Sequence, residues 1–263
     1  MLNRLLDYFR PNRAAQAEPP DRALFDRLLR AYPVLDGLDA GQRDLLYQRS
    51  GEILRTKRFQ GADGFEPNPA DCLSVAMLAA LPVLHTDLGW YRDFHTFILY
   101  PAGFVTDFEE VDEDGLVHSG RDLRAGEAWA LGPVVLAMSD VRDSGQGEGF
   151  NVVVHELAHQ IDQRNGETNG FPPLPTGMDP AEWTRVFSAG YQRLHDELDS
   201  GREPSLDPYA AESPAEFFAV ACEFFFDVPE WLAEHHPDLH HQLAQLFRVD
   251  PVPRRSGLHP RRS

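Results

Sequence analysis

Two histidines one helical turn apart, with a glutamate directly after the first, are the residues of this chain best placed to do chemistry. They lie in the run Asn151-Val-Val-Val-His-Glu-Leu-Ala-His-Gln-Ile-Asp162. On a helix, residues four apart project from one face, so the imidazoles of His155 and His159 stand together. That spacing suits two corners of a zinc tetrahedron with metal–nitrogen distances of about 2.0–2.1 Å. Glu156 lies roughly 100° further round the helix, beside the ligands but outside their coordination. It is placed to take a proton from a metal-bound water and deliver it to a leaving amine, while the ion acidifies that water and polarises a carbonyl. The expected chemistry is hydrolysis of a peptide bond at one zinc ion.

The five-residue pattern alone is weak, and its surroundings add the weight. Three valines precede it, and Leu157, Ala158 and Ile161 lie within or beside it, so the helix is expected to be buried. Buried imidazoles and carboxylates need partners. A catalytic zinc takes three protein ligands and keeps a fourth position open. Two carboxylates compete for the third place. Asp162 is two turns from His155 on the same helix face. Glu216 belongs to Tyr209-Ala-Ala-Glu-Ser-Pro-Ala-Glu-Phe-Phe-Ala-Val-Ala-Cys-Glu-Phe-Phe-Phe226, which as a helix puts Glu212, Glu216 and Glu223 on one face among phenylalanines. Ser213-Pro-Ala-Glu216 also has the form of a capping box with Pro at the first helical position, a role in which Glu216 only ties down the helix start. Spacing alone does not separate Glu216 from Asp162.

The elements that must carry these residues follow a simple order. Residues 21–57 read as helices, with Leu24, Phe25, Leu28 and Leu29 in one stripe and Leu45, Leu46, Ile53 and Leu54 continuing it. Gly and Pro between Phe59 and Pro69 predict a loop, and residues 70–85 a buried helix closed near Pro82. Thr96 to Tyr100 reads as a strand, with another begun at Phe104-Val105. Leu116-Val117-His118 and Trp129 to Met138 complete a small sheet, with turns at Asp114-Gly115 and Ser119-Gly120. From about 148 the pattern is helical again, the Gly-rich stretch 144–149 serving as an entry loop. Helices, sheet, then helices describe an α+β fold, mostly helical with a small mixed sheet. Leu2, Leu5, Leu6 and Phe9 give residues 1–20 the spacing of a helical extension docked on the core, and residues 249–263, rich in Arg and Pro, read as a disordered tail.

Composition narrows the setting. At 263 residues and 42% hydrophobic, the chain can bury a substantial core. A net charge of −18 argues against a nucleic-acid or anionic-membrane partner, since both are bound through Lys and Arg. No run of eighteen apolar residues predicts a membrane span. Cys72 and Cys222 lie far apart among apolar residues, unlike a disulfide framework or a cysteine zinc site, so a reducing, cytoplasmic setting is expected. His235, His236, His240 and His241 cluster on what reads as a solvated helical face.

The runs 151–162, Tyr209-Ala210 and Pro214-Ala-Glu-Phe-Phe-Ala-Val220 resemble those of the Mlc titration factor A family of bacterial zinc peptidases, and more distantly the catalytic domain of anthrax lethal factor. Ile98-Leu-Tyr-Pro-Ala-Gly-Phe104, Leu131-Gly-Pro-Val-Val-Leu136 and Asn169-Gly-Phe-Pro-Pro-Leu174 extend the likeness, which covers about residues 20 to 247. Leu157 stands where the family commonly has Phe, a packing change. The resemblance implies a zincin-like, gluzincin-type peptidase domain over residues 21–248, with Glu216 as the third zinc ligand beside His155 and His159. It implies that Tyr209 points into the site, where its hydroxyl can donate to a developing oxyanion. Asp162 and Glu223 then become candidates to orient the ligand imidazoles, and Glu212 keeps no assignment. The resemblance also implies a peptide substrate, with aminopeptidase-like action on free N-termini. A second role it implies is the sequestering of a transcriptional repressor of the Mlc type, for which an acidic surface offers charge complementarity.

Overall fold

The computed structural model describes residues 19–111, 117–124, 126–128 and 132–252, with the backbone course alone for the strands between 104 and 128. The expected N-terminal helix at 1–20, the tail beyond 252 and the turn at Asp114-Gly115 lie outside the described residues, apart from 19–20. Helix α1 (Arg22–Leu29) starts where Asp21 accepts the Leu24 N–H at 3.0 Å, and α2 (Ala40–Thr56) starts in a capping box of Asp39 and Gln42. Strand β1 (Arg58–Gly61), helix α3 (Pro69–Ala79) and strand β2 (Thr96–Tyr100) form a parallel pair with a helical crossover. Strands β3 (Phe104–Val111) and β4 (Val117–Arg124) follow as an antiparallel hairpin. Strands β5 (Gly126–Ala128) and β6 (Val134–Ala137) return the chain to the first sheet.

That sheet has the order β1-β2-β6-β5, with β1, β2 and β6 parallel and β5 antiparallel at the edge, so it is mixed as expected. All four residues of β6 are buried, the mark of a strand covered on both faces. Three expectations need correction. Arg58 to Gly61 is a strand rather than the start of a loop: Phe59 pairs with Phe97 on β2 and stacks on it at 5.2 Å. Four residues are too few to show a period of two. Ser119 and Gly120 pair inside β4 with Glu109 and Phe108, and do not form a turn. The strands also divide into two sheets, because among the described residues β3 and β4 pair only with each other.

Among the described residues six α-helices follow: α4 (Met138–Asp143), α5 (Val152–Asp162), α6 (Pro180–Asp199), α7 (Pro214–Asp227), α8 (Pro229–His235) and α9 (Pro237–Phe247). Pro69, Pro180, Pro214, Pro229 and Pro237 each open a helix, where a missing N–H costs nothing. Helix α5 packs against α7, α3 and strands β5 and β6, which puts it at the centre of the molecule. Its valines and leucine, with Phe217, Phe218, Phe225 and Phe226 of α7, belong to one continuous buried core. Among the described residues no helix is long and apolar enough to cross a membrane. Both cysteines are free, and Cys222 is buried in α7.

Candidate metal and catalytic centre

Helix α5 begins at Asn151, whose side chain accepts the Val154 N–H at 3.2 Å. The Gly-rich loop before it is tied to α7, because the Asp227 carboxylate accepts the N–H of Gly147 at 3.1 Å and of Gly149 at 2.7 Å. Gly149 has φ +83°, and a Cβ there would meet the Phe224 ring at 2.9 Å, so neither its conformation nor its space admits a side chain. Loop, α5 and α7 are thereby locked together around one face of α5.

On that face three atoms from the two helices, each able to ligate a metal, converge. His155 Nε2 and His159 Nε2 are 3.2 Å apart, and Glu216 Oε2 stands 3.0 Å from the first and 3.3 Å from the second. A tetrahedral ion with bonds of about 2.0–2.1 Å spaces its ligands about 3.3 Å apart. The triangle therefore has the size that a zinc ion needs. Its chemistry fits too: two imidazole nitrogens and a carboxylate oxygen in mutual contact require a positive charge among them. Without a metal that charge is a proton. Burial would lower His155, but hydrogen bonds to Glu216 and Glu223 outweigh it and raise the imidazole well above its ordinary range. Burial would raise Glu216, and the two imidazoles instead hold it well below the usual carboxylate range.

Of the competing carboxylates, Glu216 is the one brought to the imidazoles. Ser213 Oγ does accept the Glu216 N–H at 3.2 Å, so the helix cap is real, yet it occupies only the backbone of Glu216 and leaves the carboxylate to the histidines. Asp162 is fully buried and turned elsewhere: Oδ2 accepts the Gly170 N–H at 2.7 Å, and the backbone N–H groups of Asn169 and Phe171 face the same carboxylate. The expectation that Asp162 orients an imidazole is thus corrected for hydrogen bonding, because the turn after α5 claims it. The same expectation for Glu223 fits the geometry. Its Oε1 lies 2.8 Å from His155 Nδ1, on the ring edge opposite the cluster.

Glu156 is 4% exposed and lines the same cavity, a space of about 1020 Å³ that contains His155, His159 and Glu216 in its wall. Tyr209, on a short 3-10 turn (Pro208–Ala211), also lines it, with its ring 6.0 Å from that of His155. Glu212 is exposed on the same wall.

The segment that carries Tyr209 is pinned at Ser205, a residue the sequence did not mark. Its N–H and hydroxyl both donate to Glu197 Oε2 of α6, at 2.8 and 2.7 Å, and its carbonyl accepts the Trp231 indole N–H at 2.9 Å. His236 Nε2 stands 2.7 Å from the same hydroxyl oxygen. A hydroxyl has one proton, and it goes to Glu197, so His236 is the donor in that contact and carries its proton on Nε2. Burial would raise Glu197, but the bonds from Ser205 and Arg193 bring it down to about 2. Burial, with Arg193 nearby, lowers His236 to about 4. Serine, histidine and carboxylate meet here in the wrong order for a nucleophilic triad, since the carboxylate binds the serine rather than the imidazole.

This network also corrects the reading of the histidine cluster as a solvated face. His236 and His240 are 5% and 8% exposed, the second packed on the Phe225 ring at 5.3 Å. Only contacts made by α6, α7 and residue 205 reveal this, and none of them is near in sequence.

Comparison with known proteins adds kinship to the geometry. A family model described as glucose-regulated metallo-peptidase M90 matches residues 6–248. A protein named Mlc titration factor A from Klebsiella pneumoniae is 40% identical over 227 residues, covering 86% of each chain. Proteins of the same name from Escherichia fergusonii and Enterobacter sp. strain 638 are 38% and 39% identical, covering 90% and 89% of this chain and 88% and 89% of their own.

Proposed function

Because this chain belongs to the glucose-regulated metallo-peptidase M90 family, we propose that it is a zinc-dependent peptidase whose metal ligands are His155, His159 and Glu216. One observation carries the reading: two imidazole nitrogens and one carboxylate oxygen lie 3.0–3.3 Å apart in the wall of a cavity that Glu156 shares. The fold is read as zincin-like and of the gluzincin type, with the His-Glu-x-x-His helix and a glutamate from a later helix meeting across one cleft. The peptidase unit is taken to span residues 21–248.

Bound zinc would supply a Lewis acid that sharpens a water nucleophile and polarises the scissile carbonyl. The rest falls to the protein. Glu156 removes a proton from the attacking water as oxygen bonds to the carbonyl carbon, then passes that proton to the leaving nitrogen as the C–N bond breaks. The Tyr209 hydroxyl donates a hydrogen bond to the oxyanion that develops on the former carbonyl oxygen and keeps its proton. Glu223 accepts from His155 Nδ1, which keeps the Nε2 lone pair facing the cluster. The cavity is large enough for a peptide segment, and action on free N-termini is the expected mode.

The Glu156→Gln variant tests the assignment. It should keep zinc at one ion per chain by elemental analysis and lose peptide hydrolysis by at least about a hundredfold. Retained turnover sinks it.

The shared name of the relatives favours a second role, the sequestering of a repressor of the Mlc type. The two roles separate in His155→Ala: a sequestering surface still captures the purified repressor after hydrolysis is lost.

A further inference from the structure

The hydrolytic reading uses the floor of the cavity and leaves its rim unexplained. Among the described residues, the large hydrophobic side chains left exposed are Phe150 at 39%, Tyr209 at 45% and Trp231 at 36%. All three line this one cavity. They reach it from separate segments: the residue before the α5 cap, the 3-10 turn at 208–211, and helix α8. Rings scattered on a surface need no explanation, but three from distant parts of the chain around one concavity form a binding wall.

The charge of the rim is as one-sided as its shape. Glu148, Glu203, Asp207 and Glu212 are exposed and line the cavity, and among the described residues no Lys or Arg does. Carboxylates around a concave, low-dielectric space focus a negative potential into it. That potential repels an anionic ligand and draws in a cationic one. Aromatic faces carry the negative side of their quadrupole and attract cations as well, while also packing well on methylene stems. Both effects select one kind of group, an aliphatic stem that ends in a positive charge.

We propose that this cavity recognises peptides through an arginine or lysine side chain beside the scissile bond, held against Phe150, Tyr209 and Trp231 and within reach of the rim carboxylates. The proposal rests on the peptidase reading for what happens to the bound peptide, and on the rim alone for which peptide is bound. Glu148 and Glu203 set the charge preference from two different segments. Phe150 supplies ring contact without any role in holding zinc or moving a proton.

Binding and turnover test it separately. Three fluorescent peptides of equal length, differing at one position as Arg, Leu or Glu, are titrated against the zinc-loaded Glu156→Gln variant by anisotropy. The Arg peptide should bind about tenfold tighter than the Leu peptide, the Glu peptide weakest, and the gap should shrink at high salt as the rim charges are screened. Adding Glu148→Gln with Glu203→Gln should cut the Arg preference by about three- to tenfold, and Phe150→Ala should cut it by about two- to tenfold. Equal affinities, a preference for the Glu peptide, or no binding of the Arg peptide would overturn the proposal. The wild-type enzyme is then assayed on the same peptides. Turnover indifferent to charge defeats the cationic cradle and leaves the peptidase standing; Arg-selective binding with no cleavage of any peptide defeats the peptidase and leaves the cradle.

Discussion

Glu223 holds His155 and the start of His155's own helix with the two oxygens of one carboxylate. Oε1 lies 2.8 Å from His155 Nδ1, and Oε2 accepts the Asn151 N–H at 2.5 Å. Glu223 sits on α7 two turns beyond Glu216, so the helix that supplies the proposed carboxylate ligand also fixes the imidazole that this carboxylate meets. The residue is 5% exposed, which shields both contacts from competing water.

Removing that grip should weaken metal binding without removing a ligand. Glu223→Gln keeps the side-chain volume but loses the charge that favours the Nδ1–H tautomer of His155. Zinc affinity, measured by titration against a competing chelator, should fall about ten- to a hundredfold. Glu223→Ala should also destabilise the fold by about 1–3 kcal/mol, since the Asn151 N–H is left buried and unmade. An unchanged zinc affinity in Glu223→Gln would show that His155 is oriented by packing alone.

Glu216 and Asp162 should part company in a metal-content assay. Glu216→Ala is expected to purify with little zinc and to remain folded, because its backbone stays capped by Ser213. Asp162→Ala should keep its zinc and lose stability by about 1–3 kcal/mol, measured by urea unfolding. The stability loss follows from Gly170, whose N–H bonds Asp162 and whose carbonyl accepts the Trp183 indole N–H at 3.1 Å. Zinc lost from Asp162→Ala and kept in Glu216→Ala would reverse the ligand choice.

These two carboxylates also show where the sequence stops being legible. The α5 segment declares itself locally, through helical spacing, an Asn cap and an apolar face, and α7 does so through Ser213 and Pro214. Which acid then meets the imidazoles depends on how α7 crosses α5, a contact between residues about sixty positions apart. Spacing left Asp162 and Glu216 equal, and only a family likeness favoured one. The same limit hid β1, whose four residues show no period, and the burial of His236 and His240, which is imposed by α6, α7 and Ser205. Phe150 and Trp231 carry no local sign that they share a cavity.

Lys57, the single lysine of the chain, offers a test of the fold away from the site. It is 5% exposed, with Nζ donating to the carbonyls of Tyr91 and Phe94 and lying 4.1 Å from the Phe94 ring centroid. Burial lowers it to about 8, so a good part is the neutral amine at mildly alkaline pH. Burial also denies reagents access. At pH 8.5 an amine-acylating reagent should leave Lys57 unmodified in the native protein and label it fully in urea, as read by peptide mass spectrometry. Rapid labelling under native conditions would place the lysine at the surface.

The Ser205 network should make the fold sensitive to acid in a defined range. Folded His236 takes its proton only at about pH 4, whereas the ordinary histidine value is 6.5. Between the two, the unfolded chain binds more protons than the folded one, so stability is present above pH 6.5 and drains away as pH falls toward 4. Glu197 acts in the same sense lower down, from its ordinary 4.5 to about 2, because its ionised form is the one that Ser205 and Arg193 bind. The histidine's share is at most about 3 kcal/mol, at about 1.4 kcal/mol per pH unit. His236→Asn replaces the ring by an amide that still donates to Ser205 but does not titrate. In chelator-treated protein the variant should be less stable than wild type at pH 7, through lost packing, and that gap should narrow by about 1–3 kcal/mol at pH 4.5 as wild type bears the cost of its imidazole. A gap that stays constant across this range would mean that His236 titrates as it would in the unfolded chain, and its bond to Ser205 would then carry no preference for the neutral ring.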